Sequence, residues 1–359
     1  MAETAMIAMS GGVDSSVAAF LMQQQGYDCV GATMKLFRTG DIVCERTCGA
    51  PDDAADAAAV AARLGMAHHV FDFSEQFREN VMAQFAEAYE NGRTPNPCIE
   101  CNRCLKFGCM IEKMHELGLD YVVTGHYARV DYDEKYGCFA LKKAVDAAKD
   151  QTYFLYTLTP GQLRHVRFPL GALEKSEVRR IAEENGFVTA KKKESQDICF
   201  VPDGDYAAFI SRFSGRSFPE GDFTDMQGNV LGTHRGIIHY TIGQRKGLGV
   251  AVGHPVYVCD IDTEKNRVVL GENEDLFTDC VTAQRVNLIT DLREPVRVLA
   301  KIRYRHKEQP ATAWQTVDGL LHVQFDEPQR AVTCGQAVVL YDGDTVLGGG
   351  EIRGKENHE

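Results

Sequence analysis

The run SGGVDSS, from Ser10 to Ser16, combines glycines, hydroxyls and one carboxylate in a pattern suited to binding an anion. It follows a short apolar segment, Met6 to Met9, and leads directly into VAAFLMQQQG, which has the apolar pattern of an amphipathic helix. Gly11 and Gly12 permit backbone conformations closed to other residues, so several N–H groups can point to one place. The N-terminus of the following helix adds unpaired N–H groups and a partial positive charge. The sequence therefore predicts a phosphate cradle between a strand and a helix.

The spacing of this cradle separates it from other nucleotide-binding loops. It lacks the Gly-Lys-Ser/Thr ending of a Walker loop and the spread glycines of a dinucleotide fingerprint. It resembles the pyrophosphate loop, or PP-loop, of ATP pyrophosphatases, which cut ATP between its α and β phosphates and adenylate a substrate oxygen. A serine-capped helix after a glycine turn is the simpler alternative, and it explains Gly12 and Ser15. It does not explain Asp14, a carboxylate beside an anion pocket that a metal or a ligand must balance.

Two of the twelve cysteines stand in contexts that favour chemistry over packing. Cys101 lies in TPNPCIECNRCLKF, just ahead of a helix predicted over 105–117, and Arg103 and Lys106 are close to it in sequence. We expect this thiol to be partly ionised, because a helix N-terminus and nearby cations stabilise a thiolate. Cys199 lies in ESQDICFV, after a run of lysines. For the remaining isolated cysteines we expect burial as small apolar residues, at Cys29, Cys138, Cys259, Cys280 and Cys334.

Two sets of cysteines have metal-ligand spacing. Cys98, Cys101 and Cys104 form C-x-x-C-x-x-C, and three such close thiolates can ligate an iron–sulfur cluster. Cys44 and Cys48 form a further pair, but two ligands make only half of a zinc site.

Length and net charge limit the number of domains and the classes of function that the chain can have. With 359 residues the chain is long enough for two or three domains, and it contains no apolar run that could cross a membrane. The N-terminus enters the phosphate loop directly, so we expect no signal peptide and a cytoplasmic protein. A net charge of −12 argues against indiscriminate nucleic-acid binding, although local basic segments can dominate at short range. These segments are Lys191 to Lys193, Arg245-Lys246 and Arg303 to Lys307.

The elements that must position these residues follow two patterns. Up to about residue 204, short apolar runs alternate with helical stretches, which predicts an α/β domain: a parallel, doubly wound sheet with helices on both faces and ligands at the carboxyl ends of its strands. From 205 onward, short alternating strands and tight turns predict two small, mostly β domains. We place these at 205–278 and 279–359, and we expect the last to be a β-barrel.

Taken together, these motifs resemble those of the bacterial tRNA-specific 2-thiouridylases of the MnmA type, essentially from end to end. The segments that carry the resemblance are AMSGGVDSS at Ala8 to Ser16, TPNP..CN...KF at Thr94 to Phe107, TGHYAR at Thr124 to Arg129, KDQTYFLYTL at Lys149 to Leu158, TAKKK.S.DICF at Thr189 to Phe200, GQRKGLG at Gly243 to Gly249, RYR at Arg303 to Arg305, FDEP at Phe325 to Pro328 and LGGG at Leu347 to Gly350.

The resemblance implies an enzyme that adenylates the 2-oxygen of the wobble uridine and then replaces it with sulfur. It implies that Cys199 carries the sulfur as a persulfide, that Cys101 is the partner nucleophile, and that the two end as a transient Cys101–Cys199 disulfide. ATP is the cofactor, and Asp14 is the candidate magnesium ligand. The partners are tRNA and a sulfur-relay or cysteine-desulfurase protein. The ATP contacts carried over are Ala8, Met9, Ser10, Gly11, Gly12, Val13, Asp14, Ser15, Met34 and Gly125. The tRNA contacts are Asn96, Pro97, Cys98, His126, Lys149, Asp150, Gln151, Arg303, Tyr304 and Gln336.

One departure from the family keeps a second mechanism open. The best-known form of the family has an aspartate where Cys98 stands and no cysteine at the position of Cys104. Thiolation that depends on a [4Fe-4S] cluster held by Cys98, Cys101 and Cys104 is therefore an alternative to the persulfide relay. A PP-loop adenylating ligase or amidotransferase acting on another substrate is a second alternative. A non-catalytic tRNA-binding protein that keeps nucleotide only for stability is a third.

Overall fold

The computed structural model describes residues 2–38, 51–190, 192 and 198–355. The chain divides into two compact units. The first comprises Met1–Met82, Pro97–Asp203 and Asp344–Leu347, and the second comprises Ala83–Asn96, Gly204–Gly343 and Gly348–Glu359.

The first unit is built on a parallel sheet, as the sequence predicts. Five of its strands are parallel neighbours in the order β3-β2-β1-β4-β7, while β5 and β6 form an antiparallel hairpin outside this sheet, with Lys142 of β6 paired to Thr345. The strands are β1 (Thr4–Ala8), β2 (Asp28–Lys35), β3 (His68–Asp72), β4 (Tyr121–Val123), β5 (Arg129–Asp133), β6 (Cys138–Lys142) and β7 (Val166–Arg167).

The helices up to residue 184 are mostly short, and two of them continue through π-helical segments. They are α1 (Val13–Gln24), α2 (Pro51–Arg63), α3 (Ser74–Phe77), the π-helical Arg78–Ala83, α4 (Gln84–Glu90), α5 (Pro97–Cys101), the π-helical Asn102–Cys109, α6 (Met110–Glu116), α7 (Thr152–Leu155), α8 (Pro160–Leu163) and α9 (Lys175–Glu184).

The core of the first unit lies on both faces of β1. Ile7 packs into one apolar cluster with Val17 of α1, Val60 of α2 and Val178 of α9. Met6 is also fully buried, and it points to the opposite face because side chains alternate along a strand. Burial on both faces is typical of a parallel sheet covered by helices. It fixes β1, and with it the loop that follows.

One helix start differs from the sequence prediction. The helix predicted over 105–117 begins at Pro97 instead, since proline suits the first turn, where its missing N–H removes no hydrogen bond. The short helix α3 begins at Ser74, and the carboxylate of Asp72 accepts bonds from the Ser74 backbone N–H at 3.0 Å and hydroxyl at 2.6 Å.

The second unit contains a small sheet and a closed barrel, which confirms the prediction of β-rich C-terminal domains. Antiparallel and parallel pairs give the sheet order β10-β11-β8-β9, and six strands in the order β12-β15-β14-β13-β16-β17 close through a β12–β17 pairing. The elements are α10 (Tyr206–Ser214), β8 (Gly221–Thr224), β9 (Val230–His234), the 3₁₀ turn Ile237–His239, β10 (Tyr257–Asp262), β11 (Arg267–Gly271), the 3₁₀ turn Glu274–Leu276, β12 (Phe277–Leu288), β13 (Val296–Lys301), β14 (Gln309–Gln315), β15 (Leu321–Arg330), β16 (Ala337–Asp342) and β17 (Thr345–Lys355).

Across the described ranges of both units, no helix combines the length and the apolar composition needed to cross a membrane.

Candidate active site

The predicted phosphate loop connects β1 to α1 at the carboxyl edge of the parallel sheet. Gly11 has a φ of +67°, and a Cβ placed there would lie 2.3 Å from the backbone oxygen of Asp53, so only glycine fits. Gly12 differs from the prediction. Its φ of −104° and ψ of 168° are open to any residue, and it serves as the N-cap of α1. One glycine of the pair, not both, is required by the backbone.

Serine hydroxyls hold the loop in shape. Ser15 Oγ accepts a bond from the Ser10 N–H at 3.2 Å and donates to the Gly12 carbonyl at 3.1 Å. Ser16 Oγ also donates to the Gly12 carbonyl, at 2.9 Å, and lies 2.9 Å from the buried Thr189 hydroxyl. Because the first N–H groups of a helix have no intrahelical acceptor, this bracing leaves the donors of the first turn of α1 to face an anion.

The carboxylate of Asp14 already has a counter-charge within the protein. Lys175 Nζ lies 2.7 Å and 2.8 Å from its two oxygens, and the Tyr127 hydroxyl donates to it at 3.0 Å. Lys175 is 9% exposed and begins α9. The premise that only a metal or ligand could balance Asp14 is therefore wrong. Sequence reasoning missed Lys175, because the lysine lies 161 residues away along the chain.

A second lysine contacts the phosphate loop directly. Lys192 Nζ donates to the Gly11 carbonyl at 3.1 Å, to Asp53 at 2.6 Å and to Asp56 at 2.9 Å, which uses all three of its N–H donors. Burial opposes the charge, but the hydrogen bonds to the two aspartates outweigh it and raise the pKa of Lys192. The sequence analysis includes this lysine in a local basic segment, whereas the structure bonds it to the phosphate loop. Lys191 and Lys193 lie outside the described residues.

The other predicted ATP contacts gather at the same edge. Ala8 ends β1, and Met34 is the last residue but one of the neighbouring β2. Gly125 follows β4, on the other side of β1. A Cβ on Gly125 would lie 2.8 Å from the Asp14 carbonyl carbon, so the loop after β4 packs directly on the start of α1. The structure therefore brings these predicted residues together around the phosphate loop.

His126, a predicted tRNA contact, is packed against aromatic rings. Its ring centroid lies 5.8 Å from that of Phe107 and 5.9 Å from that of Phe168, and its Nδ1 lies 2.7 Å from the Thr124 hydroxyl. Burial, with repulsion from Lys106 added, holds the pKa of His126 well below its usual 6.5. At neutral pH this ring is uncharged, so any contact with RNA would be a hydrogen bond and not an ion pair.

The adjacent predicted tRNA contacts in the loop before α7 have partners inside the protein. Asp150 is buried, and its carboxylate accepts bonds from the Ala144 N–H at 2.9 Å and the Thr152 hydroxyl at 2.6 Å. Gln151 accepts the Tyr127 N–H with its side chain and donates its own N–H to the Tyr127 carbonyl, both at 2.9 Å. Lys149 is half-buried. Two of the three side chains therefore fix the loop, and their contact with tRNA stays a prediction.

The cysteine-bearing segment is helical throughout, which changes the environment expected for Cys101. Cys101 ends α5 and has helical dihedrals, φ −61° and ψ −43°, so it lies inside a helix and not ahead of one. Arg103, expected to favour its thiolate, is instead paired with Glu100 through its Nε at 3.0 Å. The same carboxylate lies 4.0 Å from Cys104 Sγ. Cys98 is exposed, and Cys101 and Cys104 are half-buried.

This helical segment does not fit an iron–sulfur cluster. Cys98, Cys101 and Cys104 lie three residues apart on a helix that changes from α to π at Asn102, so neighbouring thiols can approach in pairs, but all three spread around the helix surface instead of converging on one point. The carboxylate of Glu100 beside Cys104 adds a further obstacle to a cluster of thiolates. No group of three or more histidine, cysteine or carboxylate side chains placed to hold a metal occurs among the residues that the structure describes.

Cys199 lies in a turn of the first unit, with the following residue, Phe200, buried against Phe77. Cys101 and Cys199 are both thiols, so the transient disulfide between them stays a prediction. Of the cysteines expected to be buried, three are buried (Cys29, Cys259 and Cys280), and Cys138 and Cys334 are half-buried. Cys44 and Cys48 lie outside the described residues.

In the second unit, two predicted tRNA contacts make hydrogen bonds within the protein. The Arg303 guanidinium donates to the Ala331 carbonyl at 2.9 Å and to the Thr333 hydroxyl at 2.6 Å. Gln336 Nε2 donates to the Thr94 carbonyl at 2.7 Å, and the Thr94 N–H donates to the Cys334 carbonyl at 2.8 Å. These bonds fasten the segment that ends at Asn96, the residue before α5, onto the barrel.

Exposed cations lie beside these structural contacts. Arg305 and Lys307 are exposed in the segment after β13, and Arg245 and Lys246 are exposed in the GQRKGLG loop. Tyr304 is half-buried, with Lys301 Nζ 5.9 Å from its ring. The exposed cations that could contact tRNA phosphates are therefore sequence neighbours of the predicted tRNA contacts and not those contacts themselves.

Comparison with known proteins gives matches along almost the whole chain. Three family models match in succession, described as a tRNA methyl transferase HUP domain over residues 3–203, a tRNA methyl transferase PRC-barrel domain over 207–272 and an aminomethyltransferase β-barrel domain over 278–352. A tRNA-specific 2-thiouridylase MnmA of Clostridioides difficile is 50% identical over 98% of each chain. Another from Acetivibrio thermocellus is 48% identical over 97% of this chain and 98% of its own.

Solved structures are more distant. A 4-thiouridine synthetase in complex with RNA and ATP is 17% identical, with a TM-score of 0.39, over 59% of this chain and 50% of that one.

Proposed function

The chain belongs to the family of tRNA-specific 2-thiouridylases, and on that premise we propose that it replaces the 2-oxygen of the wobble uridine in a tRNA anticodon with sulfur. The observation that carries the proposal is the placement of an ATP pyrophosphatase loop and of Cys101 and Cys199 in one compact unit. Nucleotide activation and a nucleophilic sulfur are the two requirements of this reaction. We further propose the domain division at 1–204, 205–278 and 279–359.

The first step activates a poor electrophile. The uridine 2-oxygen attacks the α-phosphorus of ATP, and pyrophosphate leaves with the electron pair of the broken P–O bond. The loop from Ser10 to Ser16 would hold the pyrophosphate, because its braced hydroxyls leave the first N–H groups of α1 directed outward. The product is an adenylated uridine, in which AMP replaces oxide as the leaving group at C2.

The second step delivers sulfur. A sulfur-relay or cysteine-desulfurase protein loads Cys199 as a persulfide, and the terminal sulfur attacks C2 and expels AMP. Cys101 thiolate then attacks the Cys199 sulfur, which breaks its bond to the transferred sulfur and releases 2-thiouridine. The two cysteines are left as a disulfide, which needs two electrons from a reductant before the next cycle.

Magnesium accompanies ATP in such sites and is held by one or two carboxylates together with the phosphates. Asp14 is the carboxylate on the first turn of α1 that would hold it, and the ion would spread the charge of the departing pyrophosphate. Lys175 supplies positive charge at the same carboxylate. No step is assigned to an iron–sulfur cluster, since the helical thiols do not converge.

The target base must leave its stack to reach the cysteines, which favours the single-stranded anticodon loop over duplex RNA. Asn96, Pro97 and Cys98 are the proposed contacts with that base. The exposed cations Arg305 and Lys307 are proposed to meet the tRNA backbone.

Serine substitution of each cysteine tests the proposal. With ATP, magnesium, tRNA and a persulfide donor, we expect Cys101→Ser and Cys199→Ser to abolish 2-thiouridine while still releasing pyrophosphate. Cys138→Ser, on the hairpin β5–β6, is the matched control and should retain the product. Nucleoside analysis by mass spectrometry and a pyrophosphate assay provide the measurements.

The same experiment separates the alternatives. An adenylating ligase or amidotransferase with incidental cysteines would keep full turnover in both serine variants. A tRNA-binding protein without activity would release no pyrophosphate in response to tRNA. Either result would contradict the proposed function.

A further inference from the structure

Cys98 and Cys101 form a C-x-x-C pair on one helix, and the sulfur relay uses only one of them. Both lie in α5, Cys98 exposed to solvent and Cys101 half-buried. Helix geometry places the Cα atoms of residues i and i+3 about 5 Å apart, within the range of about 4.4–6.8 Å that a disulfide bridges. An exposed thiol paired with a less exposed one, three residues along a helix, is the arrangement of a redox-active dithiol.

Cys104 has the same spacing from Cys101 on the other side but a less favourable environment. Its Sγ lies 4.0 Å from a carboxylate oxygen of Glu100, and that negative charge disfavours the thiolate needed for exchange. Cys104 is also less exposed than Cys98 and lies in the π-helical segment. Of the two neighbours of Cys101, Cys98 is the one more accessible to solvent.

We propose that Cys98 is the resolving thiol of this enzyme, a role that rests on the proposed relay for its use of the Cys101–Cys199 disulfide. Cys98 thiolate attacks the Cys101 sulfur, and the bond between Cys101 and Cys199 breaks. Its electron pair leaves on the Cys199 sulfur, which takes up a proton, and a Cys98–Cys101 disulfide forms. The exchange involves no net oxidation or reduction. A dithiol reductant from solution then reduces the new disulfide and becomes a disulfide itself.

The exchange separates the loading of sulfur on Cys199 from the reduction of the disulfide. Cys199 returns to the thiol form and can accept sulfur while the oxidised pair waits for reductant. The oxidised pair includes the exposed Cys98 sulfur, which an external dithiol can reach.

Peptide mapping after mild oxidation tests the pair directly. The reduced full-length enzyme is treated with oxidised glutathione, quenched in acid, alkylated and digested with trypsin. Cleavage after Arg93 and Arg103 gives the peptide TPNPCIECNR, in which Cys98 and Cys101 are the only cysteines. We expect this peptide to lose two hydrogens in the wild-type protein and in Cys104→Ser, and to appear cross-linked to the Cys199 peptide in Cys98→Ser.

A wild-type protein that forms the Cys101–Cys199 link while Cys98 remains open to alkylation would overturn the proposal. So would identical cross-link patterns in the wild-type protein and Cys98→Ser. Both readings come from the oxidised protein alone and do not require tRNA thiolation.

Turnover provides the second reading. We compare the steady-state rate at limiting dithiol with the yield of a single turnover. The ratio of the two should fall roughly tenfold in Cys98→Ser and Cys98→Asp, because a thiol from solution must replace the Cys98 thiol, which the helix holds at high effective concentration. The ratio should be unchanged in Cys104→Ser. An unchanged ratio in all variants would refute the resolving role, whereas a wild-type protein with no single-turnover product would refute the proposed function instead.

Discussion

His126 shows how burial determines the charge state of a residue that its motif marks as functional. It lies in TGHYAR, and the family resemblance implies that it contacts tRNA. The structure packs its ring against Phe107 and Phe168, which keeps it neutral because the charged form would lose its hydration. The residue therefore contributes shape and one hydrogen bond to Thr124, and not charge.

This burial predicts a pH dependence of stability. The pKa of His126 lies well below 6.5 when folded, so below pH 6.5 the unfolded chain binds more protons than the folded one, and acid destabilises the fold. We expect the free energy of unfolding of wild-type protein to fall more steeply than that of His126→Gln as pH drops from 7.5 to 5.5. The limiting difference in slope is about 1.4 kcal/mol per pH unit for one proton. Urea titrations at several pH values measure it, and parallel curves would contradict the assignment.

The counter-charge of Asp14 also depends on the tertiary structure. A carboxylate at an anion site needs a counter-charge, as the sequence predicts. The further inference that a metal or a ligand must supply this charge is wrong, because Lys175, distant in the chain, supplies it at 2.7 Å. Sequence distance gave no signal of this pair, since the ion pair depends on α9 packing against α1.

Among the elements, the loop between β1 and α1 depends on one glycine more than on the other. Gly11→Ala forces a left-handed φ on alanine and places its Cβ against the Asp53 backbone, so we expect a loss of more than about 2 kcal/mol of stability. Gly12→Ala keeps an ordinary extended conformation, and its Cβ would meet only the Ser10 hydroxyl, at 3.5 Å. We expect this matched variant to lose less than about 1 kcal/mol. Urea unfolding midpoints compare the two, and equal losses would show that the close approach to Asp53 does not control the loop.

The helix that carries the cysteines also shows why element boundaries mislead. The sequence predicts that this helix begins at residue 105, but it begins at Pro97. Proline disfavours helix at the residue before it and suits the first turn itself, so the same residue supports both readings. The consequence is chemical, because Cys101 becomes an interior helical residue with Cys98 one turn before it.

At the level of the whole molecule, the second unit contains one arginine that stabilises the fold and an exposed neighbour that is available to bind tRNA. Arg303→Ala removes two charge-assisted hydrogen bonds, to the Ala331 carbonyl and the Thr333 hydroxyl, so we expect a loss of about 1.5–3 kcal/mol of stability and a lower melting temperature. Arg305→Ala, at an exposed neighbour, should leave the melting temperature unchanged. It should reduce the slope of log tRNA affinity against log salt by roughly 0.7–0.9 if it removes one phosphate contact.

Calorimetry and tRNA binding at several salt concentrations test this pair. If Arg303→Ala kept its melting temperature and lost roughly 0.7–0.9 of the salt slope, Arg303 would itself be the phosphate contact. A flat salt response for every variant would contradict the basic surface around Arg305 and Lys307.

Much of the architecture followed from local patterns. Alternating strands and helices determined the parallel sheet, and the run SGGVDSS determined the phosphate loop between β1 and α1. The later change to short strands determined the β-rich second unit. These features were predictable because periodicity and glycine placement act over a few residues. They need no knowledge of what lies across the fold.

Tertiary structure alone decided which charges and thiols meet. Lys175 and Lys192 reach the phosphate loop, Asp150 and Arg303 turn inward, and the three thiols on the cysteine helix do not converge on one point. Each outcome depends on contacts between segments separated by many residues or on the register of a helix. Electrostatic partners are chosen by distance in space, which a linear sequence does not contain.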